Sequence, residues 1–408
     1  MKISLIQPGR NNLKYLKWSY DSIRKNQGNH EVEICVADDF SNDGTWDWCQ
    51  EMMGKDPLFK AIRNEGPTRL GHTILYDRLV NEVATNDICM IYHADMYLMP
   101  GSIDEIEKHL TDKTIVSLTR IEPPLHPDGP EKVLIDFGIE PEEFREDDLL
   151  EWFTKPVDST GGYQPKHDNP TNGIFAPWAF YKKDFQEIGG HDPIFAPQSK
   201  EDTDIFNRFQ LNGIEFIQTW EGCVYHMTCR GSRFADGAKR NPNGEVFMKN
   251  RETDEWLKQN QKSTREFLRK WGHYCKHDTL MKPIIPPKYD IGFILSNNNM
   301  NLLYTLEPWC SNIYCDSSLR QHYITTEQPN TSFDLSKRVL PFNNEKNNEI
   351  LVTINDGFNQ QDFQYIQQLS EILADSGEPA FHGELGNITV EIFETMNTYE
   401  KDLIKNKI

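Results

Sequence analysis

The stretch Val32-Glu-Ile-Cys-Val-Ala-Asp-Asp-Phe-Ser-Asn-Asp-Gly-Thr45 decides the fold. Val32 to Ala37 is apolar apart from Glu33 and reads as a buried strand that stops at Asp38-Asp39. Ser41 to Thr45 then supplies a turn and a helix N-cap ahead of Trp46. The same unit recurs on both sides. Upstream, Lys2 to Ile6 is an apolar run closed by Pro8-Gly9, and Leu13, Leu16, Tyr20 and Ile23 follow at helical spacing. Downstream, Ile88 to Tyr92 ends at His93-Ala94-Asp95, with a Pro100-Gly101 turn and the pattern Ile103, Ile106, Leu110 behind it. Alternating strands and helices with short connections predict an α/β domain whose mostly parallel sheet is covered on both faces. Ligands of such sheets sit at the carboxyl ends of strands. Pro8-Gly9-Arg10, Asp38-Asp39 and His93-Ala94-Asp95 are therefore expected to meet along one edge.

Residues 120–172 read as a less regular insert rich in Pro, Gly and acids, including Glu142-Glu143 and Glu146-Asp147-Asp148. Regular structure is expected again at Gly173 to Tyr181, in helices near Asp184 to Ile188 and Asp202 to Leu211, and in strand-like Glu215 to Gln218 and Val224 to His226. Arg251 to Trp271 reads as a helix. Pro283-Ile-Ile-Pro-Pro287 cannot continue one and reads as a linker. The domains expected are thus 1–282 and a smaller α/β domain, 288–408, with strands at Ile291-Phe293-Leu295, Leu351 to Ile354 and Ile388-Val390-Ile392. Substrate binding, self-association into a homo-oligomer and placement in a larger assembly are the roles open to the second.

The 408 residues carry 43 Lys plus Arg against 63 Asp plus Glu, a net charge of -20. Duplex nucleic acid is excluded as a main partner, because phosphate neutralisation needs clustered cations, and an anionic membrane surface is disfavoured for the same reason. Apolar residues at 37% with nine Trp suffice for a core. The first twenty residues hold no apolar run longer than Ile3 to Ile6, so neither a signal peptide nor a spanning helix is expected and the predicted location is cytoplasmic. The eight Cys are scattered without a C-x-x-C pair and read as reduced packing residues. His273-Tyr-Cys275-Lys-His277 is a tempting metal cluster, read instead as the basic end of a helix.

Taken together, Ile3 to Arg10, Asp38 to Thr45, Asn64 to Gly71, His93-Ala94-Asp95, Gly189-Gly-His-Asp192, Glu201-Asp202 and His226 resemble, in order and spacing over residues 1–272, the GT-A fold glycosyltransferases, in particular the inverting family 2 group. The resemblance implies a Rossmann-like sheet flanked by helices and a sugar transferred from a nucleoside diphosphate, UDP above all, to a glycan or other hydroxyl acceptor. It implies nucleoside contacts from Pro8, Gly9 and Arg10, an acid on the base from Asp38 or Asp39, and a donor contact from Arg69. His93-Ala94-Asp95 stands where the family has D-x-D. Asp95 and His226 are then metal ligands, and His93 touches either the ion or the ribose. Mn2+ or Mg2+ is the expected cofactor, and an imidazole ligand favours Mn2+. The implied general base is Asp202, with Glu201 orienting it or the acceptor; Asp204 reads as an exposed helix residue. The loop Met227 to Asn243, with Arg230, Arg233, Lys239 and Arg240, suits a mobile cover over the diphosphate or, equally, a solvated basic loop. Trp178 and His191-Asp192 are candidates to line the sugar site, though Trp178 reads first as core. Two other readings compete. A nucleotidyltransferase needs a glycine-rich basic loop after the first strand, and Pro8 to Asn12 is too short for one. A non-catalytic carbohydrate or sugar-nucleotide binding protein would keep both its donor affinity and any biological role after Asp202→Asn.

Overall fold

A computed structural model of the chain describes residues 1–156, 160–230, 234, 236–250, 252–376 and 380–406. They fold as two compact units: Met1–Glu201, Asn212–Lys258 and His277–Pro283 form one, and Asp202–Leu211, Gln259–Lys276 and Ile284–Ile408 the other. Residues 202–211 and 259–276, which the sequence reading counts with the first domain, thus pack with the second.

The first unit is built on β1 (Lys2–Gly9), β2 (Glu31–Asp39), β3 (Phe59–Asn64), β4 (Ile88–Ile91), β5 (Met96–Leu98), β6 (Thr114–Glu122), β7 (Lys132–Leu134), β8 (Trp178–Tyr181) and β9 (Glu215–His226). The helices α1 (Leu13–Asn26), α2 (Thr45–Lys55), α3 (Gly71–Arg78) and α4 (Ser102–His109) connect or cover its strands. Strand order is β3-β2-β1-β4-β8-β6-β9-β5, with β7 paired to β6. The β1–β2, β2–β3, β1–β4, β6–β7 and β6–β9 pairs are parallel. Ile3, Leu5, Val32, Ile34, Met90 and Ile103 belong to one buried cluster of this sheet. Burying such side chains supplies most of the driving force, about 25 cal/mol per Å² of apolar surface.

Register places the site. Gly9 pairs with Asp38, and Ile6 with Ile91, so β1, β2 and β4 end on a common edge, as expected from the three polar strand ends. The segment beyond β4 turns back as β5, whose Met96 pairs with His226 at the end of β9. β9 reaches that point through an irregularity: Leu118 pairs with Thr219 but Thr119 with Cys223, so Trp220 to Gly222 bulge out and bend the strand. A Cβ on Gly222 would lie 2.8 Å from the Leu118 side chain, which is why glycine stands there.

β6 corrects the sequence reading, which starts its irregular insert at residue 120, inside this strand. All nine residues of β6 are buried, and the polar ones that mask the pattern find partners. Thr119 donates to the Thr219 carbonyl (2.9 Å), and Arg120 pairs with Glu131 (2.8 Å). The insert also holds a helix, α5 (Glu146–Thr154). Farther on lie α6 (Lys182–Glu187), α7 (Glu201–Leu211), the two-stranded β10 (Lys239–Arg240) and β11 (Val246–Phe247), and α8 (Asp254–Trp271). No helix among the described residues is long and apolar enough to cross a membrane.

The second unit has its own sheet of β12 (Ile291–Leu295), β13 (Asn312–Cys315), β14 (Val339–Pro341), β15 (Ile350–Ile354), β16 (His382–Leu385) and β17 (Ile388–Ile392), ordered β14-β13-β12-β15-β17-β16. β12 to β15 run parallel, and β17 pairs antiparallel with both β15 and β16. Under it lies a closed ionic cluster. Arg269, wholly buried, contacts Glu266 (2.9 Å), Glu307 (2.8 Å) and Glu327 (2.8 Å). Arg338 and Arg265 complete it on Glu307 (2.6 Å) and Glu327 (2.9 Å), and the Tyr323 hydroxyl donates to Glu307 (2.9 Å).

Candidate active site

The edge shared by β1, β2 and β4 is stitched together by its own loops. The Asn11 amide donates to Ser41 Oγ (2.9 Å), the Asn42 amide to Asn11 Oδ1 (2.9 Å), and the Leu13 amide to Asp43 Oδ2 (3.0 Å). Pro8 is buried, Gly9 half-buried, and the exposed Arg10 lays its guanidinium 4.1 Å over the Phe40 ring. Asp38 is buried, accepting from the Ser41 amide (3.1 Å) and facing Arg63 Nε at 3.3 Å. Asp39 is committed to architecture: its carboxylate accepts from Asn64 Nδ2 (2.6 Å) and from the Leu70 (3.1 Å) and Gly71 (2.9 Å) amides at the start of α3. Arg69 stands 3.8 Å from Asp39 and donates to Gln198 Oε1 (3.4 Å).

The second cluster sits where β4 gives way to β5. His93, Asp95 and His226 each offer a donor atom, all within 4.8 Å of one another; Ala94 between the first two is buried. Gln7 Nε2 donates to the His93 carbonyl (3.4 Å), tying this turn to β1. His226 Nε2 lies 3.3 Å from Asp95 Oδ1, while its Nδ1 lies 2.7 Å from Glu122 Oε1. Glu122 is buried and faces Arg120 (3.2 Å) and Lys132 (3.5 Å). Both cations also reach Glu131, at 2.8 and 3.5 Å.

Charge follows this geometry. Burial alone would raise the Asp95 carboxyl, but His226 and His93 outweigh it and hold the group at about 2. Burial would lower His226, yet Asp95 and Glu122 raise it to about 9. His93, desolvated and facing His226, drops to about 3 and is neutral. Two imidazoles and one carboxylate form a mixed nitrogen and oxygen donor set fitted to a divalent transition-metal ion.

Several sequence expectations change. Asp204 is wholly buried, not exposed, and bonds Lys270 (2.7 Å), Arg208 (2.8 Å) and Trp271 Nε1 (2.9 Å). The basic loop is no free cover: Arg240 is paired with Asp136 (2.6 Å) and Glu143 (2.8 Å). Arg230 has a side chain only 7% exposed, faces Glu140 at 3.3 Å and lies 5.3 Å over the Tyr15 ring. Acids of the insert thus hold these cations; Arg233 lies outside the described residues. Trp178 is fully buried beside Phe180. His191 is tied to Asp77 (2.7 Å), and Asp192 caps the turn Pro193–Phe195. His273 and His277 bond carbonyls of their own neighbours, Tyr274 and Asp278. Among the described residues, the other metal-capable group, His30, Asp104 and Glu107, contacts the terminal amine through His30 (2.8 Å) and Glu107 (3.0 Å).

Glu201 and Asp202 open α7, buried and half-buried respectively, and the unit boundary falls between them. The chain enters through two successive left-handed residues, Ser199 (φ 84°) and Lys200 (φ 73°), a strained approach of the kind found at functional sites. Glu122 and its supporting Arg120, Lys132 and Glu131 escaped the sequence reading; the only signal was an acid at a strand end, hidden by taking residue 120 as the start of a loop.

Residues 4–188 match the model of glycosyl transferase family 2. This region is a glycosyl transferase family 2 domain. Among solved structures, the chain is similar to the mannosyltransferase PcManGT from Pyrobaculum calidifontis in complex with GDP-Man and Mn2+ (17% identity over 69% of this chain and 67% of that one, TM-score 0.42). It is also similar to GalNAc-T7 with UDP, GalNAc and Mn2+ (16% identity, 55% of this chain and 43% of that one, TM-score 0.41). A third is TarS from S. aureus (16% identity, 56% and 37%, TM-score 0.39). The chain thus spans less than half the length of the last two. No curated protein matches it.

Proposed function

We propose that the chain moves a sugar from a nucleoside diphosphate, UDP in first place, to a hydroxyl acceptor with inversion at the anomeric carbon. The observation that carries this reading is the convergence of His93, Asp95 and His226 donors at the carboxyl edge of a family 2 domain. Those three residues would hold Mn2+ in preference to Mg2+, and a bound divalent ion supplies charge neutralisation for the departing diphosphate. Asp38 would receive the base, with Pro8, Gly9 and Arg10 along the nucleoside; Asp39 supports them from below, and Arg69 stands toward the donor. Asp202 accepts the proton of the attacking hydroxyl, with Glu201 orienting it. The same proposal puts the chemistry in the cytoplasm, where cysteines persist without disulfide pairing.

The test is turnover of a panel of sugar nucleotides with Mn2+, with Mg2+ and with chelator. Transfer with Mn2+, lost in chelator, is expected; no turnover with any donor sinks the enzyme reading. Asp202→Asn should lower transfer by roughly 10²–10⁴-fold while leaving donor affinity unchanged. Retained configuration in the product would remove Asp202 from its role.

A further inference from the structure

We infer that Glu122 is a positioning residue that makes His226 a metal ligand: its carboxylate accepts a hydrogen bond from Nδ1–H, keeps the proton on that nitrogen, and so aims the Nε2 lone pair at Asp95 and the ion. The inference rests on the metal-dependent reading above. A neutral imidazole has one protonated and one bare nitrogen, and the partner of the first decides which is which. Here Nδ1 sits 2.7 Å from Glu122 Oε1 and Nε2 3.3 Å from Asp95 Oδ1, so the two nitrogens face opposite ways, one into the scaffold and one into the donor cluster. A carboxylate accepts hydrogen bonds and donates none, which leaves Nε2 as the ligating atom.

Glu122 is also fixed. Its side chain is 1% exposed and faces Arg120 at 3.2 Å and Lys132 at 3.5 Å, themselves 7% and 8% exposed. Lys132 is carried by β7, a three-residue strand whose pairing sets Arg120 opposite Lys132 and Glu122 opposite Leu134. Glu131, one residue earlier, holds both cations from the far side. The arrangement runs in a line from Glu131, through Arg120 and Lys132, to Glu122, His226 and Asp95. Such outer partners commonly carry 10–100-fold in metal affinity.

The experiment measures Mn2+ binding to the full chain by electron paramagnetic resonance, with echo modulation reporting the nitrogen nuclei coupled to the ion. The unaltered chain, Glu122→Gln, Glu122→Asp and His226→Ala are compared, each with its thermal midpoint. Expected are coupling to two imidazole nitrogens in the unaltered chain, and in Glu122→Gln a Mn2+ affinity lower by roughly 10–100-fold with one nitrogen coupling weakened or lost. Combined with His226→Ala, Glu122→Gln should cost nothing further. If Glu122→Gln fails to fold, Glu122→Asp decides, because it keeps the charge while withdrawing the acceptor from Nδ1. Unchanged affinity and unchanged nitrogen coupling in a folded Glu122 variant overturn the inference and leave the metal reading standing. No Mn2+ binding by the unaltered chain overturns that reading, and this inference with it.

Discussion

Each unit buries a network of charges, and the two differ in their balance. In the second unit Arg265, Arg269 and Arg338 meet Glu266, Glu307 and Glu327, three against three. In the first, Asp95, Glu122 and Glu131 meet only Arg120 and Lys132, three against two, with His226 between. The balanced network is closed on itself and reads as scaffold. The other reaches balance only through the proton on His226, which Asp95 and Glu122 hold up to about 9. A divalent ion, as proposed, would take that proton's place with charge left over for a diphosphate. Buried ion pairs are weak grounds for stability but costly to break; a network whose balance hangs on one imidazole's proton leaves a place that a metal ion can take.

Four measurements bear on this contrast. The largest effect is expected from Arg269→Met, which removes the cation that Glu266, Glu307 and Glu327 share and should cost roughly 3–5 kcal/mol in urea unfolding. A cost near zero would mean that the network is not tightly closed. Next, Mn2+ at about a hundred times its dissociation constant should stabilise the chain by roughly 2.7 kcal/mol, read as a thermal shift. Asp95→Asn should erase that shift; a shift that survives would locate the ion elsewhere. Acid then probes the closed network. Despite burial, Arg338 and Arg269 hold Glu307 at about 2 against an ordinary 4.5, so its contribution is complete above pH 4.5 and is lost as pH falls toward 2. Circular dichroism across that window should show a shallower loss in Glu307→Gln. The smallest effect belongs to Asp39→Ala, which removes the acceptor for the first amides of α3 at a cost of about 1 kcal/mol in thermal unfolding.

The legible parts of the molecule share one property: their signal is local. β1, β2 and β4 are apolar runs ended by turn residues, so the strands and the converging edge could be read from spacing alone. β6 was not legible, because Ser117, Thr119, Arg120 and Glu122 are polar yet buried, each held by partners roughly ten to a hundred residues away. Asp204 failed for the same reason: its place beneath Lys270 and Trp271 depends on contacts more than sixty residues distant. The basic loop was read by composition, and the structure showed Arg230 and Arg240 already taken by the insert's acids.

By itself the sequence determined the alternation of strands and helices, the edge on which Pro8, Asp38 and His93 lie, and the resemblance to family 2, because apolar periodicity and strand-end residues are properties of neighbours in the chain. Only the tertiary structure decided that Asp39 is a cap, that Glu122 stands behind His226, and that α7 and the second half of α8 belong with the second unit. Those facts depend on which distant groups share a low-dielectric interior, where a charge left without a partner is too costly to keep.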